Sequence, residues 1–125
     1  FALPPTGQQR FAPPEPPTVR NSTYTADFMA PMCPQSAIVT NASLEISEDC
    51  LYLSVWSPPG KPSGLPVFVW IYGGTFVYGS GAGYGSGTLE GEKIYNGLRF
   101  STEASGVVFV AFNYRLCMFP FVLVV

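Results

Sequence analysis

The segment Pro66-Val67-Phe68-Val69-Trp70-Ile71-Tyr72-Gly73-Gly74-Thr75-Phe76 decides how the rest of the chain is read. From Val67 to Tyr72 the side chains are apolar or aromatic without interruption, so a strand built from them suits water on neither face. That pattern predicts a parallel strand covered by helices on both sides. The strand then runs into Gly73 and Gly74, where the backbone leaves the sheet at its carboxyl edge. Open α/β sheets keep their ligand sites at that edge. Glycine there permits unusual backbone angles and close approach of the main chain to a ligand. Two readings of the turn follow: a tight reversal after a strand, or a set of backbone N–H groups aimed at a developing oxyanion.

Working outward, Val107–Tyr114 reads as a second apolar strand. Between the two strands, Gly79–Gly87 is rich in glycine but has neither G-x-G-x-x-G nor G-x-x-x-x-G-K spacing, which sets nucleotide binding aside. A helix is predicted over Gly97–Ser105, with Asn96 as N-cap and Gly106 just after its end. Strand, crossover with a helix, strand is one right-handed βαβ unit. Upstream, Leu51, Leu53 and Val55 alternate with Tyr52, Ser54 and Trp56, the pattern of a half-buried strand. Residues 57–64 are turn-forming. Residues 1–36, with Pro at 4, 5, 13, 14, 16, 17, 31 and 34, read as an extended arm laid over the rest.

Composition narrows the function classes. Charged residues make up 11% of the 125, against about 25% in an ordinary globular domain. So apolar a chain is either a membrane protein or a slice of a larger fold. A spanning helix needs about 18 apolar residues, whereas the longest run, Leu116 to Val125, is cut off from Val107–Phe112 by Asn113 and Arg115. A transmembrane span is therefore not expected. A net charge of −2 without a basic cluster gives no footprint for nucleic acid. The chain opens without Met and without a signal sequence, so its true start is expected upstream. The three cysteines read either as buried small hydrophobes or as a Cys33–Cys50 disulfide with Cys117 left over. The sequons Asn21-Ser22-Thr23 and Asn41-Ala42-Ser43 favour the secretory route, with Asn21 and Asn41 as glycan acceptors.

Four blocks in order resemble the type B carboxylesterase/lipase family: residues 5–14, Ser47–Trp56, the 66–76 segment with Gly79-Ser80, and Val108–Leu116 with its N-Y-R-L motif. The resemblance implies the α/β class, as the N-terminal part of a single α/β-hydrolase domain over residues 1–125. Its elements would be an antiparallel strand near 50–56, parallel strands near 66–72 and 107–114 and a crossover helix, in an incomplete sheet. It implies a carboxylic ester hydrolase with a Ser–His–acid mechanism, acting on a small-molecule or lipid ester, without cofactor or metal, in a secreted protein of fungal type. Oxyanion donation falls to the N–H groups of Gly74 and Thr75, supported by Gly73. A Cys33–Cys50 disulfide and an Arg10–Glu48 ion pair are also implied, the pair expected to be buried because charge is so scarce.

Departures from the family pattern carry information. Thr75 stands where a third glycine is usual, and a β-branched residue resists positive φ. After Arg115-Leu116 the two usual glycines are Cys117 and Pro120, so residues 117–125 are expected to be a tail outside the family pattern. There is no G-x-S-x-G elbow and no histidine, so the serine nucleophile and its base are both missing. The 125 residues are expected to be inactive alone, to need the remainder of their own fold, and to expose an apolar strand edge. The competing readings are a non-catalytic relative of the adhesion type, a degenerate gene product, and a stand-alone module that binds an anion at Gly73–Thr75.

Overall fold

β-branched and aromatic residues at 53–56, 67–70 and 108–112 suit a pleated, packed surface better than a helix. In the computed structural model they form β1 (Leu53–Trp56), β2 (Val67–Trp70) and β3 (Val108–Phe112), with one helix, α1 (Gly97–Glu103). The structure describes residues 1–26, 28, 30–35, 45–60, 63–81, 95, 97–103 and 106–117. The sheet order is β1-β3-β2; β3 pairs antiparallel with β1 and parallel with β2. The path from β2 to α1 through residues 82–94 lies outside the described residues, as do the expected N-cap Asn96 and the end of the predicted helix at Ser105.

The register places Trp56, Phe109 and Phe68 in one row across the sheet, and Val55, Val110 and Val69 in the next, on the opposite face. α1 lies on the first face. Its Phe100 ring is 5.0 Å from Phe68 and 5.3 Å from Phe109, and Trp56 meets Phe109 at 5.7 Å. A side chain at Gly97 would collide with the rings of Phe109 and Trp56, so the helix docks closely because it opens on glycine. The opposite face is bare: Val55 is 56% and Val69 51% exposed. Along β1, Ser54 and Trp56 are the more covered side and Leu53 and Val55 the exposed one.

All three strands are shorter than the sequence predicts, for local reasons. The N–H groups of Cys50 and Tyr52 bond to Glu48 O (3.0 Å) and Cys50 O (2.8 Å), two residues back, which keeps 50–52 out of β1. At the same end of the sheet, where Leu53 faces Phe112 and Trp70 faces Ala111, Tyr72 and Tyr114 bond through their side chains instead of through a ladder, so β2 and β3 stop before 72 and 114.

The Pro-rich arm has one 3₁₀ turn, Gly7–Gln9, and is tied back by the Leu3 N–H to Glu15 O (2.9 Å). Its opening residue donates from its ammonium to Leu51 O at 3.1 Å. Beneath the arm Cys33, Cys50 and Leu51 form the buried core, and Met32 and Leu116 are also fully buried. No helix among the described residues is long and apolar enough to cross a membrane.

β2 is one of the two edge strands of the described sheet, apolar and half exposed, and such an edge templates pairing with another chain. Val69→Lys is expected to lower concentration-dependent self-association of the 125-residue chain in sedimentation velocity. Equal association of both chains would show that the edge is not the contact.

Candidate functional site

The turn after β2 is built on left-handed backbone. Gly74, Thr75 and Phe76 have φ of 126°, 55° and 61°. A side chain at position 74 would run into the carbonyl of Tyr78, which accounts for glycine there. That close approach comes from the turn's own hydrogen bonds. Val77 and Tyr78 both donate their N–H to Gly74 O, at 2.9 and 3.2 Å, and the Thr75 hydroxyl donates to the same oxygen at 2.7 Å. The Gly74 carbonyl thus closes the turn, while among the described residues no acceptor takes the N–H of Gly74 or of Thr75. Thr75 is exposed and Gly74 partly so. Turns of this kind present successive N–H groups to an anion.

The reluctance of a β-branched residue to adopt positive φ does not prevent it here: Thr75 sits at 55° all the same. The conformation costs about 1–2 kcal/mol at a non-glycine residue, so the surroundings must impose it. Thr75→Gly is accordingly expected to raise the thermal midpoint by about 4–8 °C per kcal/mol relieved. A lower midpoint in calorimetry would mean that the Thr75 hydroxyl bond outweighs the strain.

What imposes the turn lies in two other segments, residues 113–117 and Gln35. At its entry the Tyr72 and Tyr114 rings stack at 4.2 Å; the Tyr114 hydroxyl donates to Tyr72 O (2.6 Å) and the Tyr72 hydroxyl to Tyr114 O (3.1 Å). At its middle, the Cys117 N–H donates to Phe76 O at 2.8 Å. At its exit the Gln35 amide makes a two-point contact with Gly79, accepting from its N–H (2.9 Å) and donating to its carbonyl (3.1 Å). Next to it, Asn113 Oδ1 accepts from the Gly81 N–H (2.8 Å) and the Ser80 hydroxyl (3.4 Å). Sequence reading missed both amides. Asn113 registered there as a break in an apolar run and as the first residue of N-Y-R-L, without a positioning role, and one amide at the end of an apolar strand was the available signal.

The remaining residues singled out in the sequence, Cys117 apart, lie away from the turn. Cys33 and Cys50 are joined by a disulfide with Cα atoms 5.0 Å apart, and Cys117 is free. Cys117 has φ of 60°, which gives a backbone reason for the glycine usual at that position. Arg10 and Glu48 form a two-pronged pair, Nε to Oε1 at 2.6 Å and Nη2 to Oε2 at 2.8 Å. Their side chains are 44% and 28% exposed, not buried as expected: the arm passes over the surface here, leaving the pair open to solvent. The hydrogen bond to Glu48 raises the Arg10 pKa, but a pair this exposed orients the arm more than it stabilises the fold. Asn21 is exposed; Asn41 and residues 118–125 lie outside the described residues. No cluster of potential metal ligands occurs among the described residues.

Burial raises the Tyr114 hydroxyl pKa above its usual 10.0, and burial followed by the bond to Asp49 does the same for Tyr52. A raised folded-state pKa means that the stabilisation is complete below the unfolded value and fades as pH climbs through the folded one. In an alkaline ultraviolet titration these two phenols are expected to ionise after the exposed ones, and Tyr114→Phe to remove one late step. Simultaneous ionisation of all tyrosines in the folded protein would contradict this.

A three-stranded mixed sheet, a helix on one face and a glycine turn at the carboxyl end of β2 define part of an α/β-hydrolase sheet. The chain belongs to the carboxylesterase family, whose profile matches residues 1–124. It is 38% identical to the para-nitrobenzyl esterase of Bacillus subtilis over 97% of its own length and 24% of that protein's. It is 41% identical to carboxylesterase 1C of Mus musculus over 93% of its length and 21% of the relative's. Among solved structures, a PNB esterase superposes with a TM-score of 0.77 at 39% identity, covering 94% of this chain and 22% of that one. A carboxylesterase of Geobacillus stearothermophilus gives 0.76 at 36% identity, with the same coverage. The chain thus spans about a quarter of its relatives' length, matching their N-terminal segment. These relatives are bacterial and murine and leave the fungal-type expectation without support.

Proposed function

We propose that the Tyr72–Phe76 turn supplies the oxyanion donors of a carboxylic ester hydrolase, with the N–H groups of Gly74 and Thr75 as donors and Gly73 letting the chain leave the sheet. The observation that carries the reading is the pair of adjacent N–H groups, on one exposed and one half-exposed residue, that no acceptor takes among the described residues while the Gly74 carbonyl takes three hydrogen bonds. Donors already committed within the protein could not stabilise a developing charge; preorganised open ones can, and each such donor is worth about 2.7–4 kcal/mol in the transition state. The rest of the reaction needs a serine, an acid and a histidine. No histidine and no G-x-S-x-G elbow occur in the 125 residues, so those groups belong to segments of the same domain beyond them.

The substrate class is a small-molecule or lipid ester, without cofactor or metal. Extracellular placement is part of the reading, supported by the disulfide and by exposed Asn21 in its sequon. A non-catalytic relative of the adhesion type would have no use for unspent N–H donors at the sheet's carboxyl edge, and this favours the esterase.

The test has two arms. The 125-residue chain alone is expected to show no turnover of short nitrophenyl esters above buffer; serine-reagent-sensitive turnover there would overturn the division of labour. A hybrid with residues 1–116 replacing the matching segment of the Bacillus subtilis para-nitrobenzyl esterase is expected to turn over such esters. Within it, Gly74→Ala should lower kcat about 10²–10³-fold with little change in KM. An active hybrid indifferent to Gly74→Ala would rule the turn out as the oxyanion site.

A further inference from the structure

The two amides that grip the exit of the turn also grip the residues of the disulfide. Gln35 Nε2 donates to Cys33 O at 3.1 Å while the same side chain holds Gly79 at both its N–H and its carbonyl. Asn113 Nδ2 donates to Cys50 O at 3.1 Å and to Pro31 O at 2.9 Å while its Oδ1 holds Ser80 and Gly81. Each half-cystine is thus joined, through one side-chain amide, to one end of the segment Gly79–Gly81. Asn113 is 4% exposed, and Cys33, Cys50 and Ser80 are 1% or less, so the Asn113 bonds to Cys50, Ser80 and Gly81 are buried, while those of Gln35 and the bond to Pro31 are partly so. Beyond the main chain, the disulfide joins Cys33, two residues before Gln35, directly to Cys50 at the strand entry, beside the backbone bonds of Met32 to Glu45 and Ser47.

We infer that the Cys33–Cys50 disulfide, through Gln35 and Asn113, is a redox-sensitive frame that positions the oxyanion turn. Gln35 and Asn113 are positioning residues: neither touches the N–H groups of Gly74 and Thr75. They fix the place where the turn must end. With Tyr72–Tyr114 fixing where it begins, the residues between have no room to relax to negative φ, and Thr75 and Phe76 stay left-handed. Two-electron reduction by an added dithiol, which leaves as its own cyclic disulfide while its two hydrogens pass to the Cys33 and Cys50 sulfurs, frees Cys33 from Cys50, lets the two amides move independently and loosens the exit of the turn. The chemistry assigned to the frame rests on the oxyanion reading, whereas its mechanical role does not.

The experiment is amide hydrogen exchange on the 125-residue chain, diluted to where it sediments as a monomer. In the oxidised chain the Gly79 and Gly81 amides are expected to be protected. Gln35→Ala should lower Gly79 protection about tenfold, the scale of one hydrogen bond, and leave the β3 amides unchanged. Gln35→Glu keeps the acceptor for the Gly79 N–H and should restore most of that protection, which a purely steric role for the side chain would not predict. Reduction should lower protection at both Gly79 and Gly81, and in Gln35→Ala it should add nothing at Gly79. Three results would overturn the frame: unprotected amides at 79 and 81 in the oxidised chain, protection there indifferent to reduction, or a loss spread evenly into β3. Turnover in the hybrid esterase decides the oxyanion reading separately, so failure of one is not mistaken for failure of the other.

Discussion

The buried amide of Asn113 holds together segments that hydrophobic contact alone would leave loose. It sits one residue past β3 and reaches Pro31 in the arm, Cys50 at the strand entry, and Ser80 and Gly81 beyond the turn. A buried amide is costly unless its hydrogen-bonding capacity is met. Here both of its atoms are matched, and the partners come from three different stretches of chain. Those stretches can only arrive together, so the amide specifies a relative placement as well as contributing stability. Leu, of similar size, would fill the volume and take the partner from the Pro31 carbonyl and the Gly81 N–H, leaving Cys50 O only its bond from the Tyr52 N–H.

That placement explains how so small a sheet can carry a strained turn. Three strands with one covered face bury little, and much of the second face is open to solvent. The disulfide compensates by closing a 17-residue separation, worth about 3 kcal/mol in the chain-entropy account. It stands next to the amides that need to be held, rather than at the periphery. The exposed Arg10–Glu48 pair cannot substitute for it, because charges in water repay little for being ordered. Arg10 instead acts through its backbone, whose carbonyl accepts from Arg115 at 2.9 Å and ties the arm to the end of the sheet.

How much of this was legible in the sequence depended on how far apart the interacting residues are. The apolar run into Gly73-Gly74 and the alternation at 51–56 are local patterns, and they pointed to strands where strands occur. Their lengths were not legible, because the ends are set by Tyr72–Tyr114 and by the two-residue hydrogen bonds at 50–52. Nor could periodicity tell which side of β1 is covered, since α1 arrives from more than forty residues downstream and sits over Trp56 rather than Leu53 and Val55. Gln35 lay beyond reach for the same reason. Its partner Gly79 is 44 residues away, and a glutamine in a Pro-rich arm has no local signature.

The exposed face of the sheet and the open turn share one physical cause. β2 is apolar on both sides, as a strand with neighbours on each side should be, yet it forms an edge here and shows half of Val69 to water. Its sequence is written for more neighbours than the 125 residues supply. The unspent N–H groups of Gly74 and Thr75 follow the same logic at the end of the same strand. Backbone donors are normally satisfied within a fold, and a pair left open beside a rigidly framed glycine turn is suited to a charge that arrives from outside it. The strand's missing neighbours and the turn's missing acceptor thus point the same way, to a site completed by groups that come to the carboxyl edge of β2 from elsewhere.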